Sequence, residues 1–189
     1  MHQSLPAPAA TLIPNWMDVD DARQTLDDLI DDFVVHTVNR GEGSNASALA
    51  LKVTAGVGKT STALRVIARH AKALLIRGHV LFYMPTLALA EQAAADFRTL
   101  APDIPSIVLR GRKAIDPDHP DQKMCRNHER VSKFERYVWS VTHSYCRTMQ
   151  PDGSVLEAPC AASCPYLAQR DISTPHVIFL SHQYLTLTP

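Results

Sequence analysis

Residues 53–60 read Val53-Thr54-Ala55-Gly56-Val57-Gly58-Lys59-Thr60, and Ser61 follows. This is the pattern of a phosphate-binding loop. Gly56 and Gly58 free the backbone amides to converge on phosphate oxygens. Lys59 brings a positive charge to the β- and γ-phosphates, and Thr60 brings a hydroxyl to Mg²⁺. A helix starting at Lys59 turns its positive N-terminal end toward the same anion. The usual pattern opens with Gly where this chain has Val53. The stretch predicts a nucleotide site built from Thr54, Ala55, Gly56, Val57, Gly58, Lys59, Thr60 and Ser61, with ATP and Mg²⁺ as its ligands.

On either side of the loop the apolar pattern alternates between strand and helix. Ala46–Thr54 predicts a buried strand, and about Lys59 to Ala73 a helix. His79–Met84 predicts a second strand closed by Pro85-Thr86, Leu87–Leu100 a second amphipathic helix, and Ser106–Leu109 a third strand. Strand, helix, strand, helix, strand implies right-handed crossovers and a parallel sheet. The expected fold class is therefore α/β, a P-loop NTPase (RecA-like) parallel sheet. Upstream, Val19, Ala22, Leu26, Leu29, Ile30 and Phe33 recur at spacings of three and four, one face of a helix between Asp18 and Asn39. Its many Asp residues read as the solvated face. Residues 1–15 are rich in Pro and Ala and read as a loosely docked lead-in, and residues 40–45 as a loop.

Beyond Arg112 the pattern changes. Residues 113–165 contain all four cysteines, several prolines and one convincing helix, around His128–Ser144, so this segment reads as an insertion organised by something other than an apolar core. His176–Leu180 then returns to a buried strand. The expected organisation is a lead-in over 1–17, the first part of the nucleotide-binding domain over 18–112, the cysteine insertion over 113–165, and a return to the sheet over 166–189.

The chain has 189 residues, 46% hydrophobic and 20% charged, with formal net charge zero. That neutrality hides an asymmetry. Residues 1–45 hold eight acidic against two basic side chains, and residues 46–189 hold 17 basic against 11 acidic. Arg110 to Arg147 carries nine basic and five acidic residues, a candidate contact for a phosphate backbone or an ordinary solvated region. The N-terminus lacks the basic start and apolar core of a secretory signal, and no stretch approaches the roughly 18 apolar residues of a membrane span. A cytoplasmic location and no membrane partner are expected, which makes the thiols better candidates for metal ligands than for disulfides. Cys125, Cys146, Cys160 and Cys164 are separated by 20, 13 and three residues. Zinc sites usually show two tight pairs, whereas dispersed thiolates suit a [4Fe–4S] cluster. Zn²⁺ stays open as the alternative, with His128 or His143 able to replace a cysteine.

Four motifs in order carry a resemblance. Thr54–Thr60 resembles helicase motif I, which opens with Ala in many helicases. Met84-Pro85-Thr86-Leu87-Ala88-Leu89-Ala90-Glu91-Gln92 resembles motif Ia. Leu109-Arg110-Gly111-Arg112 followed by Cys125 is similar to the entry to a cluster domain. Cys164-Pro165-Tyr166-Leu167-Ala168-Gln169-Arg170, then Val177–Leu185, looks like its exit. Over roughly residues 20–189 the chain resembles the first motor domain of superfamily-2 DNA helicases of the iron–sulfur group, the DinG-like and XPD-like enzymes. The resemblance implies Gln24 as an adenine-reading residue, against a surface glutamine as the plain reading. It implies contact of Thr86 with the DNA backbone, and the basic side chains Arg110, Arg112, Lys123, Arg126, Arg130, Lys133 and Arg136 are the further nucleic-acid candidates. The implied partners are single-stranded or forked DNA and the remaining helicase domains or another protein complex.

Such helicases hydrolyse ATP with an Asp-Glu pair on a later strand and arginines from a second motor domain. Asp27-Asp28-Leu29-Ile30-Asp31-Asp32 precedes the loop and lies on a helix, so it is not that motif, and no catalytic residue is assigned. The expectation is an ATP- and DNA-binding N-terminal portion of a helicase that does not unwind alone. The alternative is a stand-alone decoy or inhibitor derived from one.

Overall fold

The computed structural model describes residues 17–41, 45–138 and 140–186. The expected lead-in lies outside the described residues apart from Met17, as do residues 42–44 of the loop over 40–45. The chain divides into two units, 1–66 and 67–189.

In the first unit, helix α1 spans Val19–Asn39. Asp18 caps it, accepting from the Asp20 amide at 2.9 Å, and Asp20 and Asp21 sit in the first turn, where carboxylates complement the positive helix end. Leu26 and Val34 are its buried residues, while Val19, expected on the apolar face, is exposed. Helix α2 begins at Lys59 and runs to Arg77, four residues past the expected end, because Ala73-Leu74-Leu75-Ile76-Arg77 offers no breaker before Gly78. Gly78, at φ +141°, ends it.

The strand expected over Ala46–Thr54 does not form, since residues 45–54 have no regular structure. Asn45-Ala46-Ser47-Ala48 are weak strand formers, and Ala46 to Ala50 are exposed, so neither packing nor a ladder compensates their low propensity.

In the second unit, β1 (Val80–Met84), helix α3 (Leu87–Leu100) and β2 (Ser106–Val108) follow in order. Next come β3 (Ile115–Asp116), β4 (His119–Lys123), helix α4 (His128–Phe134), β5 (Arg147–Met149), β6 (Val155–Glu157), a short helix α5 (Pro165–Ala168) and β7 (Val177–Ser181). The parallel sheet has the order β1-β7-β2, with Val80 opposite Val177 and Met84 opposite Ser181 on one side, and Ser106 opposite Val177 on the other. All five β7 residues are buried, as a central parallel strand covered on both faces requires. Thr86 caps α3 by accepting from the Leu89 amide at 3.2 Å. That helix lays Ala90, Ala93, Ala94 and Phe97 toward the sheet, and the Phe97 and Phe82 rings meet Phe179 at 5.7 and 5.5 Å. Small residues bring the helix close, and the three rings fill the space that remains. Burying a side chain as large as Phe97 contributes about 1.5–3 kcal/mol.

The chain leaves β2 and returns on β7, so residues 109–176 are an excursion from the sheet. Two antiparallel hairpins, β3–β4 and β5–β6, stand in it. The helix expected around His128–Ser144 breaks. α4 tightens into a 3₁₀ turn at Glu135–Tyr137, Val138 is extended, and a π-helical turn follows at Thr142–Cys146. Tyr137, Val138, Val141 and Thr142 all lose side-chain freedom in a helix, which explains the interruption. The excursion also has an apolar core of its own, against expectation. Met124, Ala161, Cys164, Tyr166 and Leu167 form it, with Ala114 and Cys146 packed alongside.

Candidate nucleotide and nucleic-acid site

The loop at 53–60 turns at Ala55-Gly56-Val57 and enters α2 at Lys59. Gly56 and Gly58 have φ of +87° and +96°, in the left-handed region that disfavours any side chain. A Cβ at either would meet no atom within 4 Å, so backbone conformation selects glycine here, not crowding. The first helical bond runs from the Thr62 amide to the Gly58 carbonyl at 2.9 Å. No acidic residue stands in the first turn of α2, and its positive end is left uncompensated. The Lys59 ammonium donates to the Val53 and Thr54 carbonyls, both at 3.2 Å, and so lies folded against its own loop. Thr54, Ala55, Gly56, Lys59, Thr60 and Ser61 are exposed, while Val57 and Gly58 are half-buried. Arg65, one turn on, reaches Asp27 of α1 at 3.3 Å. Gln24 donates to Asp28 at 2.8 Å along the exposed side of α1, a local bond that fits a surface glutamine.

In the second unit the C-terminal ends of β1, β2 and β7 share one edge, the position where open α/β sheets bind ligands. A cavity of about 260 Å³ lies there, lined by Leu109, Arg112, Lys113, Tyr166, Ser181 and Tyr184 among others. Burial, with the neighbouring Tyr166 adding to it, pushes the Tyr184 hydroxyl up to about 12. Arg112 stands at the wall. Its guanidinium lies 4.3 Å from the Tyr166 ring centroid and donates to Thr142 at 2.9 Å, and its Nε is buried without a protein partner. Sequence reading assigned no role to Tyr166, Ser181 or Tyr184, each quoted only within a longer motif. They gather only when the strands pair.

The expected nucleic-acid side chains differ in exposure and in their partners. Arg110 is held by Glu91 at 3.0 Å and is mostly buried. Arg126 donates to the Asp116 carboxylate and the Lys123 carbonyl. Thr86 spends its hydroxyl on the α3 cap. Lys123 is half-buried, whereas Arg130, Lys133 and Arg136 are exposed on and just after α4.

The four cysteines, far apart in sequence, line one cavity of about 740 Å³, together with Phe134, Tyr145, Leu156 and Leu167. Cys125 and Cys164 are buried, Cys146 and Cys160 half-buried, and none is in a disulfide. Burial pushes the Cys125 and Cys146 thiols up, and the nearby Arg112 pulls both partly back. Asn127 donates to the Cys160 sulfur at 3.3 Å. Among the described residues no three His, Cys, Asp or Glu side chains converge closely enough to hold a single metal ion. Neither the expected [4Fe–4S] cluster nor its Zn²⁺ alternative therefore has a preformed ligand set among the described residues. Neither His128 nor His143 adds to the thiols.

Among the described residues, no helix is long and apolar enough to cross a membrane. No curated protein and no solved structure matches the chain. A family model does match, described as Type III restriction enzyme, res subunit, over residues 19–137. It covers α1, the phosphate loop, β1, α3, β2 and α4, and stops before Cys146, Cys160 and Cys164, so it gives no support to the iron–sulfur subgroup. The matched span is well over half of the chain, and the chain belongs to this family of superfamily-2 helicase motor domains.

Proposed function

We propose that the chain is an ATP- and DNA-binding part of a helicase motor, with single-stranded or forked DNA as its nucleic-acid partner and its cysteines as ligands of a [4Fe–4S] cluster. The main support is the loop at 53–60. Two glycines in the left-handed region, a lysine and a threonine at the start of a helix, and no competing carboxylate in that first turn make a phosphate site. Nucleotide binding exchanges the Lys59 contacts with Val53 and Thr54 for the β- and γ-phosphates, and Thr60 presents its hydroxyl to Mg²⁺.

The spacing of the four cysteines, with only Cys160 and Cys164 close in sequence, suits a cluster better than zinc. A zinc ion holds all its sulfurs at about 2.3 Å from one point. A cluster spreads its four irons and gives each thiolate its own. Cys125, Cys146, Cys160 and Cys164 would hold it, and it would cross-link four separate stretches of residues 113–165.

Calorimetric titration of ATP with Mg²⁺ tests the nucleotide site. The wild-type chain is expected to bind, and Lys59→Ala to weaken binding by tenfold or more, the loss of a charge-assisted contact of roughly 1.5–3 kcal/mol. Equal affinity in the two proteins would remove the loop from the assignment.

A further inference from the structure

Among the described residues of 134–145, three aromatic rings stand exposed: Phe134 at 43%, Tyr145 at 42% and Tyr137 at 70%. A single exposed ring needs no explanation. Here the rings are organised. Phe134 and Tyr145 pair at 5.9 Å between centroids and form part of the rim of the cysteine cavity. Tyr137 lies beyond them with the Arg136 guanidinium 4.9 Å from its centroid. Cations interleave with the rings, since Arg130, Lys133 and Arg136 are exposed on the same seventeen residues of chain, 129–145. Of the two carboxylates there, Glu135 is neutralised by Lys113 at 2.8 Å, which leaves Glu129.

We infer that Tyr137, with the Phe134–Tyr145 pair, is a base-stacking surface for single-stranded nucleic acid, on which Arg130, Lys133 and Arg136 hold the backbone. The inference rests on the proposed DNA-binding role and gives that role its strand preference. The argument is chemical complementarity. An exposed ring offers a face that any unpaired base can cover, and stacking contributes without reading sequence. Arg136 already lies over one ring, so a base arriving on the other face would complete a stack in which the guanidinium also faces a phosphate. A duplex keeps its base faces covered and can use only the cations. The segment therefore prefers unpaired strand, and it does so through rings that the family's phosphate loop does not involve.

The test is fluorescence anisotropy of the full chain with three labelled partners of equal length: a thymidylate strand, an abasic sugar–phosphate strand and a duplex. Wild type is expected to bind the thymidylate strand at least tenfold more tightly than the abasic one. Tyr137→Ala should lose about fivefold or more on thymidylate, the loss of one stacked base. It should leave the abasic and duplex affinities and the salt slope as they were. Tyr137→Trp should restore binding, which a merely structural role for the hydroxyl would not allow. Lys133→Ala should instead weaken all three partners and lower the salt slope by about one. Equal wild-type affinity for thymidylate and abasic strands overturns the stacking surface and leaves DNA binding standing. Unchanged thymidylate affinity in Tyr137→Ala overturns it as well. Failure of the wild type to bind any of the three overturns the DNA-binding reading, and this inference with it.

Discussion

At the end of β3 the Asp116 carboxylate is buried, and three groups hold it. Arg126 donates to it, the Asp118 amide does so at 3.1 Å, and His119 lies at 3.2 Å. Arg126 foremost, and then the Asp118 amide and His119, hold the Asp116 carboxyl below the usual carboxylate range, against the opposing effect of burial. Folding therefore releases the proton more readily than the unfolded chain does. The stabilising contribution is complete above about pH 4, the unfolded value, and is lost as pH falls through the lower folded value. Urea melts of wild type and Asp116→Asn between pH 7 and pH 3 should show it. The variant starts less stable and loses less on acidification, and parallel curves would mean that the cluster is not coupled to folding. The same residues explain why a basic letter in the sequence is a poor guide to a free cation. Arg126 and Arg110 read like Arg130 and Lys133 until Asp116 and Glu91 are placed beside them.

Among the elements, α5 and β2 are joined by one side chain. Gln169 is buried, its Oε1 accepts from the Arg110 amide at 2.9 Å, and its Nε2 donates to the Arg110 carbonyl at 2.6 Å. A side-chain amide here takes the place of a neighbouring strand, just past the end of β2, and fixes where the chain turns toward Arg112. Gln169→Leu should leave both backbone groups of Arg110 unpaired, a loss of roughly 1–3 kcal/mol per buried group. Hydrogen exchange at the Arg110 amide should quicken at least tenfold, while the β7 amides keep their protection. Unchanged exchange at Arg110 would show that another group holds it. Nothing in the sequence marks Gln169, although its neighbours were legible. Helix α3 begins and ends where the apolar period of Leu87–Leu100 does, and the His176–Leu180 run announces a buried strand. The failures share a cause. In residues 46–54 and 135–146 an apolar pattern was read over weak local preference, that of the poor strand formers Ala46, Ser47 and Ala48 in one and of Tyr137, Val138, Val141 and Thr142 in a helix in the other.

For the molecule as a whole, the question is what keeps residues 113–165 folded beside a sheet with its own core. Their apolar cluster is small, with Cys164 among its members and Cys146 packed against it. Hairpin pairing explains how thiols distant in sequence come to line one cavity. Arg147 stands opposite Glu157, the Ala158 amide donates to the Cys146 carbonyl at 2.9 Å, and Cys160 thus arrives near Cys146 across a gap of 13 residues. The Cys125 amide is tied to the Arg112 carbonyl at 3.0 Å, and Cys164 packs in the cluster beside Tyr166. If these four thiols bind a cluster, its binding energy is folding energy for this segment alone. Anaerobically purified protein should then be brown, absorb broadly near about 400 nm and carry about four irons per chain. Cys146→Ser should bleach it and open residues 113–165 to protease, while β1, β7 and β2 stay protected, because Phe82, Phe97 and Phe179 pack independently of the thiols. Colourless protein with about one zinc per chain would replace the cluster by a rearranged tetrahedral site. Metal-free protein whose 113–165 segment resists protease equally before and after Cys146→Ser would leave the cavity as an apolar one that happens to be lined with sulfur, and the small cluster around Tyr166 would be sufficient to hold the segment.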